Sequence, residues 1–375
     1  MIRPPFCPNR HCEAHHLRPP GRWWMSRGKY RTQLFGAVRR FRCKLCGAGF
    51  SEQTFSIDYY AKRRVNYDEL VGLQVSCAGV RQIARYLRVS CATVENKTMR
   101  FARQALAAHI AITDGLAVTE NLCADGLQSY WTSQYVPNNI TVLAGSTSRF
   151  LYSWNVASLR RGGAMTAAQI RRRAALEQRF RADPHALTHA FTDICHSLCR
   201  LVAPSRRAHV RLDTDYHKAY RRALERHGGW HLLHRVGRVS HHRTNSRVPR
   251  TAANPLATVN TIDRQIRIDL AEHARETVRF ARNPNRSMER FTVWAFAYNY
   301  RKRYLINQPV QDTATHSQVA GIDAERVAAA TRAITRTRRF LSHTPILGEF
   351  RRIWLRMTER PFTDGNDYLP RYLLA

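Results

Sequence analysis

Negative charge is what this chain has least of. Its 375 residues include 27 Asp and Glu against 61 Lys and Arg, a formal net charge of +34. That excludes a charge-balanced surface and points to a polyanionic partner, because binding one releases condensed counterions. Nucleic acid, and DNA in particular, is the expected partner. Long apolar runs are also missing. None approaches the roughly 20 residues that a membrane-spanning helix needs, so no membrane partner is expected. No secretory signal precedes the first cysteines, and the 9 cysteines in the chain are mostly scattered. A reducing, cytoplasmic and nucleoid-associated setting therefore fits better than a disulfide-forming one. The bases are mostly arginine, in runs such as Arg171-Arg172-Arg173 and Arg338-Arg339. The guanidinium fork matches phosphate oxygens bidentately.

Four cysteines break the scatter. Cys7 and Cys12 stand as Cys-Pro-Asn-Arg-His-Cys, and Cys43 and Cys46 as Cys-Lys-Leu-Cys-Gly. Two close pairs separated by a longer basic loop are what a tetrahedral zinc ion requires. Residues 1–52 thus read as a zinc ribbon, with Trp23, Trp24, Tyr30 and Phe41 available to pack its sheet. His11, His15 and His16 lie near enough to replace Cys12 as a ligand.

Residues 60–112 read as a helix-turn-helix. The expected helices are Asp68 to Cys77, Val80 to Leu87, and Cys91 to about Ala108, with Ser90 as the cap of the third. Thr93, Glu95, Asn96 and Lys97 at its start are the candidate groove readers. From about Thr119 the period becomes that of strands. Ile140, Val142 and Ala144 alternate, as do Phe150, Tyr152, Trp154 and Val156, with turns expected at Asn138-Asn139 and Gly145-Ser146. Helices are expected from Met165 to about Arg181, from Ala186 to Leu201, and from Tyr216 to His227. Strands are expected at His209 to Asp215 and near Leu232 to Val239. Ser240 to Ala257 reads as a long basic loop with His241, His242, Arg243, Arg247 and Arg250, where Arg243 and Arg247 are candidates for holding a DNA backbone. A long helix is expected from Val259 to Phe280.

Because acids are scarce, their positions carry information. Asp125 and Asp215 each end an expected strand, and Asp263 sits near the start of the long helix. Three carboxylates brought together from two strands and a helix would repel one another unless divalent cations lay between them. Two Mg²⁺ or Mn²⁺ ions held so could serve an in-line phosphoryl displacement.

The order of these features resembles bacterial insertion-sequence transposases, most closely the InsA/InsB type with both parts fused in one chain. The stretches that carry the resemblance are Leu122-Cys-Ala-Asp-Gly-Leu-Gln-Ser-Tyr130, Thr214-Asp-Tyr-His-Lys-Ala-Tyr220 and Ala274-Arg-Glu-Thr-Val-Arg-Phe-Ala-Arg282. It implies a multidomain α+β chain: zinc ribbon, helix-turn-helix, a ribonuclease-H-like mixed α/β core over 118–305, and a helical C-terminal region over 306–375. It further implies a DDE-type metal site with Asp125 and Asp215 as first and second acids, DNA cleavage and strand transfer at element ends, and a homo-oligomer on DNA. The chain departs from the family at the third acid. The family has Glu followed three residues later by Asn; here Asn260 precedes Asp263. Asp263 is the expected third acid and Glu289 the alternative. A non-catalytic DNA-binding regulator, keeping only ribbon and helix-turn-helix, is the competing expectation.

Overall fold

The computed structural model describes residues 3–17, 19, 21–245, 247–249, 251–274, 277, 279–305, 307, 309, 314–346, 348–363, 367–370 and 374. The chain opens with α1 (Glu13–His16), followed by a three-stranded antiparallel sheet of β1 (Trp24–Thr32), β2 (Gly36–Cys43) and β3 (Gly49–Ser51). Trp23, Trp24, Phe41 and Phe50 pack with Cys7, Cys12 and Cys43 into a small core of its own. Tyr30 is not part of it. Its ring is exposed and its hydroxyl bonds Ser51 and Gln53.

Three helices follow: α2 (Tyr67–Gln74), α3 (Val80–Tyr86) and α4 (Cys91–Thr113). The Ser90 hydroxyl accepts from the Thr93 N–H at 3.2 Å, a cap that contributes about 1 kcal/mol. Ile83 and Ala84 of α3 and Val94 of α4 are buried together. α4 runs 23 residues, about 35 Å, and its second half is buried in the main body, with Leu106, Ala107 and Ile110 in contact with the second sheet's core. The helical unit and the main body therefore share one core.

The second sheet has the order β6-β5-β4-β7-β8, from β4 (Leu122–Tyr130), β5 (Pro137–Gly145), β6 (Leu151–Ser158), β7 (Val210–Asp215) and β8 (Val239–Thr244). Strands β4, β5 and β6 form an antiparallel meander; β7 runs parallel to β4, and β8 parallel to β7. Between β6 and β7 lie α5 (Ala167–Glu177) and α6 (Ala186–Val202); α7 (Lys218–Arg226) and α8 (Gly228–Arg235) join β7 to β8; α9 (Ala257–Asp269) and α10 (Pro284–Tyr300) follow. Alternation along β4 divides the core. Leu122 and Ala124 face Phe191, Ile194 and Leu198 of α6, while Cys123 and Leu127 face Val259, Ile262 and Ile266 of α9. The chain is thus mixed α/β, built on two sheets.

Several sequence expectations move. Asn138 and Asn139 lie inside β5, buried, because Asn139 fills the space over Gly126: a β-carbon there would stand 2.2 Å from the Asn139 side chain. Leu232 to Arg235 is the end of α8, and the strand expected near it begins only at Val239, so His241, His242 and Arg243 are on β8 rather than in a loop. The long helix stops at Asp269, and α10 is a separate helix. Arg250 lies outside the described residues.

Beyond it come α11 (His316–Val319), α12 (Ala324–Thr331) and α13 (Gly348–Trp354). These are not a loose tail. Phe350, Ile353 and Trp354 are buried in the main core, and Arg336 and Arg338 exchange backbone hydrogen bonds with Ile57 and Phe55. The segment also meets the ribbon: Phe6 packs edge-on against Phe340, and His15 bonds Ser342 at 2.7 Å.

Candidate functional site

Among the described residues, one set brings metal-ligating atoms within 4.8 Å of one another: Cys7, Cys12, Cys43 and Cys46. The sulfurs of Cys7 and Cys46 stand 3.6 Å apart, those of Cys12 and Cys43 3.7 Å. Four sulfurs each about 2.3 Å from one zinc ion would stand about 3.8 Å apart, and both of these pairs are close to that spacing. The histidines are committed elsewhere. His15 bonds the Cys7 carbonyl, His16 the Arg10 carbonyl, and His11 the Arg10 side chain. Burial pushes the Cys7 and Cys12 thiols upward. Burial raises Cys46 too, but hydrogen bonds from the Ala48 backbone and the Asn9, Cys12 and Cys7 side chains outweigh it and bring it to about 7. Those hydrogen bonds favour the Cys46 thiolate, and thiolate is the form that binds metal.

The second candidate site is a cleft of about 1160 Å³ on the main body. Asp125, Asp215 and Asp263 all line it. Asp215 is the last residue of β7, but Asp125 is the fourth of nine in β4, not the end of its strand. β4 continues past it because β5 pairs along its whole length, whereas β7 pairs only with Leu122 and Cys123. Leu122 opposes Leu212 and Cys123 opposes Asp213. The same offset carried forward sets Asp125 level with Asp215, on the face that α9 covers. Asp263 lies in the middle of α9 rather than at its start, and α9 packs on β4 and β5. The three carboxylates therefore reach one cleft from three elements.

Tyr220 registers their charge from the other side of the sheet. Its buried hydroxyl is pushed well above the ordinary tyrosine range, first by burial and then by Asp125, Asp215 and Asp263. The other acids near these positions are committed. Asp213 is 1 % exposed and pairs with Arg211 at 3.0 Å and His242 at 2.8 Å. Glu289, the alternative third acid, is buried on α10 between Arg103 at 3.0 Å and Arg356 at 2.8 Å. Both of its oxygens accept from Arg356. It does not line the cleft.

The expected DNA-contacting residues divide. Lys97 is 2 % exposed, paired with Asp58 and held near the Tyr67 ring. It is a core residue, not a groove reader; sequence spacing could not reveal a partner 39 positions away. Glu95 pairs with Arg286, Asn96 accepts from Arg100 at 2.7 Å, and Thr93 bonds Ser90 at 3.0 Å. Arg243 lies over the Tyr216 ring, 5.0 Å from its centroid, and Arg247 is exposed on the following loop. Neither lines the cleft. Arg149, Arg264 and Arg267 do. Arg264 and Arg267 lie on the same helix as Asp263, one and four positions beyond it, which the sequence offered as a signal; Arg149, in the β5–β6 turn, has no such signal.

A comparison of the sequence with protein-family models finds no match, and a comparison with curated proteins finds none. No helix among the described residues is long and apolar enough to cross a membrane. Of the three stretches that carry the transposase resemblance, Arg275, Glu276 and Val278 of the last lie outside the described residues.

Proposed function

We propose that the chain is a DNA transposase of the DDE type, with Asp125, Asp215 and Asp263 as its acids. The observation that carries this reading is that these three, among few acids in a strongly basic chain, line one cleft. The strand order supports it: three antiparallel strands extended by two parallel ones, with acids level on the central pair, is the ribonuclease-H-like arrangement that the resemblance implies. The donor set is all oxygen, from the three carboxylates with Asn260 and Thr261 nearby, and suits Mg²⁺ or Mn²⁺ rather than a thiolate-seeking metal. Bound there, such ions would supply Lewis-acid stabilisation of attacking and leaving oxygens.

The chain's own residues would do the rest. Arg149, Arg264 and Arg267 would bind the phosphates flanking the reacting one. Arg149 stacks on the Tyr304 ring at 5.2 Å, and Tyr304 donates to the Thr147 carbonyl at 2.7 Å, which braces that wall. Arg267 donates to the Gln128 carbonyl at 3.2 Å and the His273 carbonyl at 3.1 Å, which ties α9 to β4 and fixes the height of Asp263. The four-cysteine ribbon would be structural, and its bases would contact DNA without reading sequence.

The test is Mg²⁺-dependent nicking of duplex DNA by the full chain. Wild type should nick; Asp125→Asn should bind DNA with unchanged affinity and not nick. Wild-type protein that binds DNA but never nicks it with Mg²⁺ or Mn²⁺ points to the regulator reading, which the Asp263-for-Glu departure favours.

A further inference from the structure

The start of α4 was the expected reading surface, yet its polar side chains are turned inward or bonded within the protein. The exposed basic face of the unit belongs to α3 instead, where Arg81, Gln82, Arg85 and Tyr86 all face solvent. Beside it lies a second groove of about 550 Å³. One wall is α3. The other is formed by Leu270, Ala271 and Glu272 and by the run from Arg279 to Asn283, with Arg279 and Arg282 exposed on it. The walls approach closely at one end: Arg279 donates to the Cys77 carbonyl at 3.2 Å, and its side chain comes within 3.7 Å of where a Gly79 β-carbon would stand.

The charges in this groove are sorted by depth. Arg286 and Arg290 are matched by Glu95 and Glu272. Among the described residues, Arg81, Arg85, Arg279 and Arg282 have no carboxylate within 4.0 Å. Four guanidinium groups with no carboxylate partner among the described residues thus line two walls, over a floor whose arginines are already matched. Their mutual repulsion is relieved by an anion that runs along the groove rather than by a single point charge. The groove also adjoins the aspartate cleft: Arg267 near the end of α9 lines one, and Leu270, the residue just past that helix, lines the other.

We propose that this groove, with the arginines of α3 rather than Thr93 and Asn96 of α4 as its helical contacts, holds the sugar-phosphate backbone of duplex DNA whose neighbouring stretch enters the aspartate cleft. The inference rests on the DNA-acting reading above. Each of the four arginines would displace about one condensed cation, so each sets part of the salt dependence.

The experiment uses the full chain and a short duplex of arbitrary sequence. Affinity is measured across a salt series for wild type, Arg81→Gln/Arg85→Gln, Arg279→Gln/Arg282→Gln and Thr93→Ala/Asn96→Ala. Each groove pair should reduce the slope of log affinity against log salt by about 1.8, and weaken binding by tens of fold at about 0.1 M salt. The Thr93/Asn96 pair should leave the slope unchanged. On wild-type protein, where no variant can misfold, duplex DNA should slow alkylation of Cys91, an exposed thiol on the groove. Groove variants with the wild-type slope, or Cys91 alkylated at the same rate with DNA bound, would overturn the groove while leaving DNA binding intact. Wild type that binds no duplex overturns the functional reading as well. Duplex RNA that displaces the DNA at lower concentration overturns the assignment of DNA as occupant.

Discussion

The four cysteines and the three aspartates are both sets of anionic ligands, and the protein builds them in opposite ways. The cysteines come from two tight knuckles and stand 3.6 and 3.7 Å apart in pairs, with Cys7, Cys12 and Cys43 buried against Trp23, Trp24, Phe41 and Phe50 and Cys46 at the surface. The aspartates come from two strands and a helix, are only partly buried, and open on a cleft of about 1160 Å³. A ligand set that is already mutually close leaves room for an ion and nothing else. A set spread around an open cleft leaves room for a substrate. Structural metal sites are closed and catalytic ones keep open positions, and the same chain holds a candidate for each.

The largest expected effect breaks the closed site. Cys43→Ser/Cys46→Ser should lower zinc from about one ion per chain to none by elemental analysis and expose Trp23 and Trp24, seen as a red shift in fluorescence. Metal retained in that variant would remove the cluster from the comparison.

A second test asks whether a buried acid can be told from a cleft acid. Glu289→Gln removes the partner of two buried arginines, Arg103 and Arg356, and should cost about 3–5 kcal/mol in urea unfolding. Asp263→Asn should cost little stability and remove nicking. If instead Glu289→Gln left stability untouched and removed nicking, the third acid would be Glu289.

The third is acid sensitivity. Burial lowers His109 and His273 from the ordinary 6.5 to about 4. Between those values the unfolded chain binds protons that the folded chain does not, so stability should be full above pH 6.5 and fall steadily toward pH 4. Each contributes at most about 3 kcal/mol. Urea midpoints measured from pH 7 to pH 4.5 should decline; a flat profile would show that these histidines take up protons in the fold.

The smallest expected effect concerns Lys97. Lys97→Met should leave DNA affinity within about twofold, because the side chain is 2 % exposed and faces Asp58. Its consequence should be a loss of stability from an unpaired Asp58. A large loss of affinity at unchanged stability would return it to the reading surface.

The sequence made some of this visible for definite reasons. Cysteines at metal spacing are legible because the spacing is the geometry. Asp125 and Asp215 are legible because acids are rare and each ends an expected strand. α10 escaped notice because it is buried on nearly every side, so it has no polar face to give a helical period. β8 was displaced because Ser-His-His-Arg looks like a loop, yet its histidines bond Thr214 and Asp213 on β7. Lys97 misled because charge suggests exposure, and its partner is remote in the chain. Residues of the tail gave no signal because what they do is cover other elements.

That covering has a consequence for how the protein is made. His15 of the ribbon is bonded to Ser342, 327 positions later, and Phe6 and Phe55 lie against Phe340. On the ribosome the ribbon is synthesised early, and its four cysteines can come together at once. Its seat arrives only when Phe340 and Ser342 have emerged. During translation the ribbon therefore lacks that seat while α4 and the sheet assemble behind it, and docking is among the last folding events. A chain interrupted before Phe340 would carry a ribbon held toward the cleft only through Ile57 and Asp58, which bond Arg100 and Lys97 of α4.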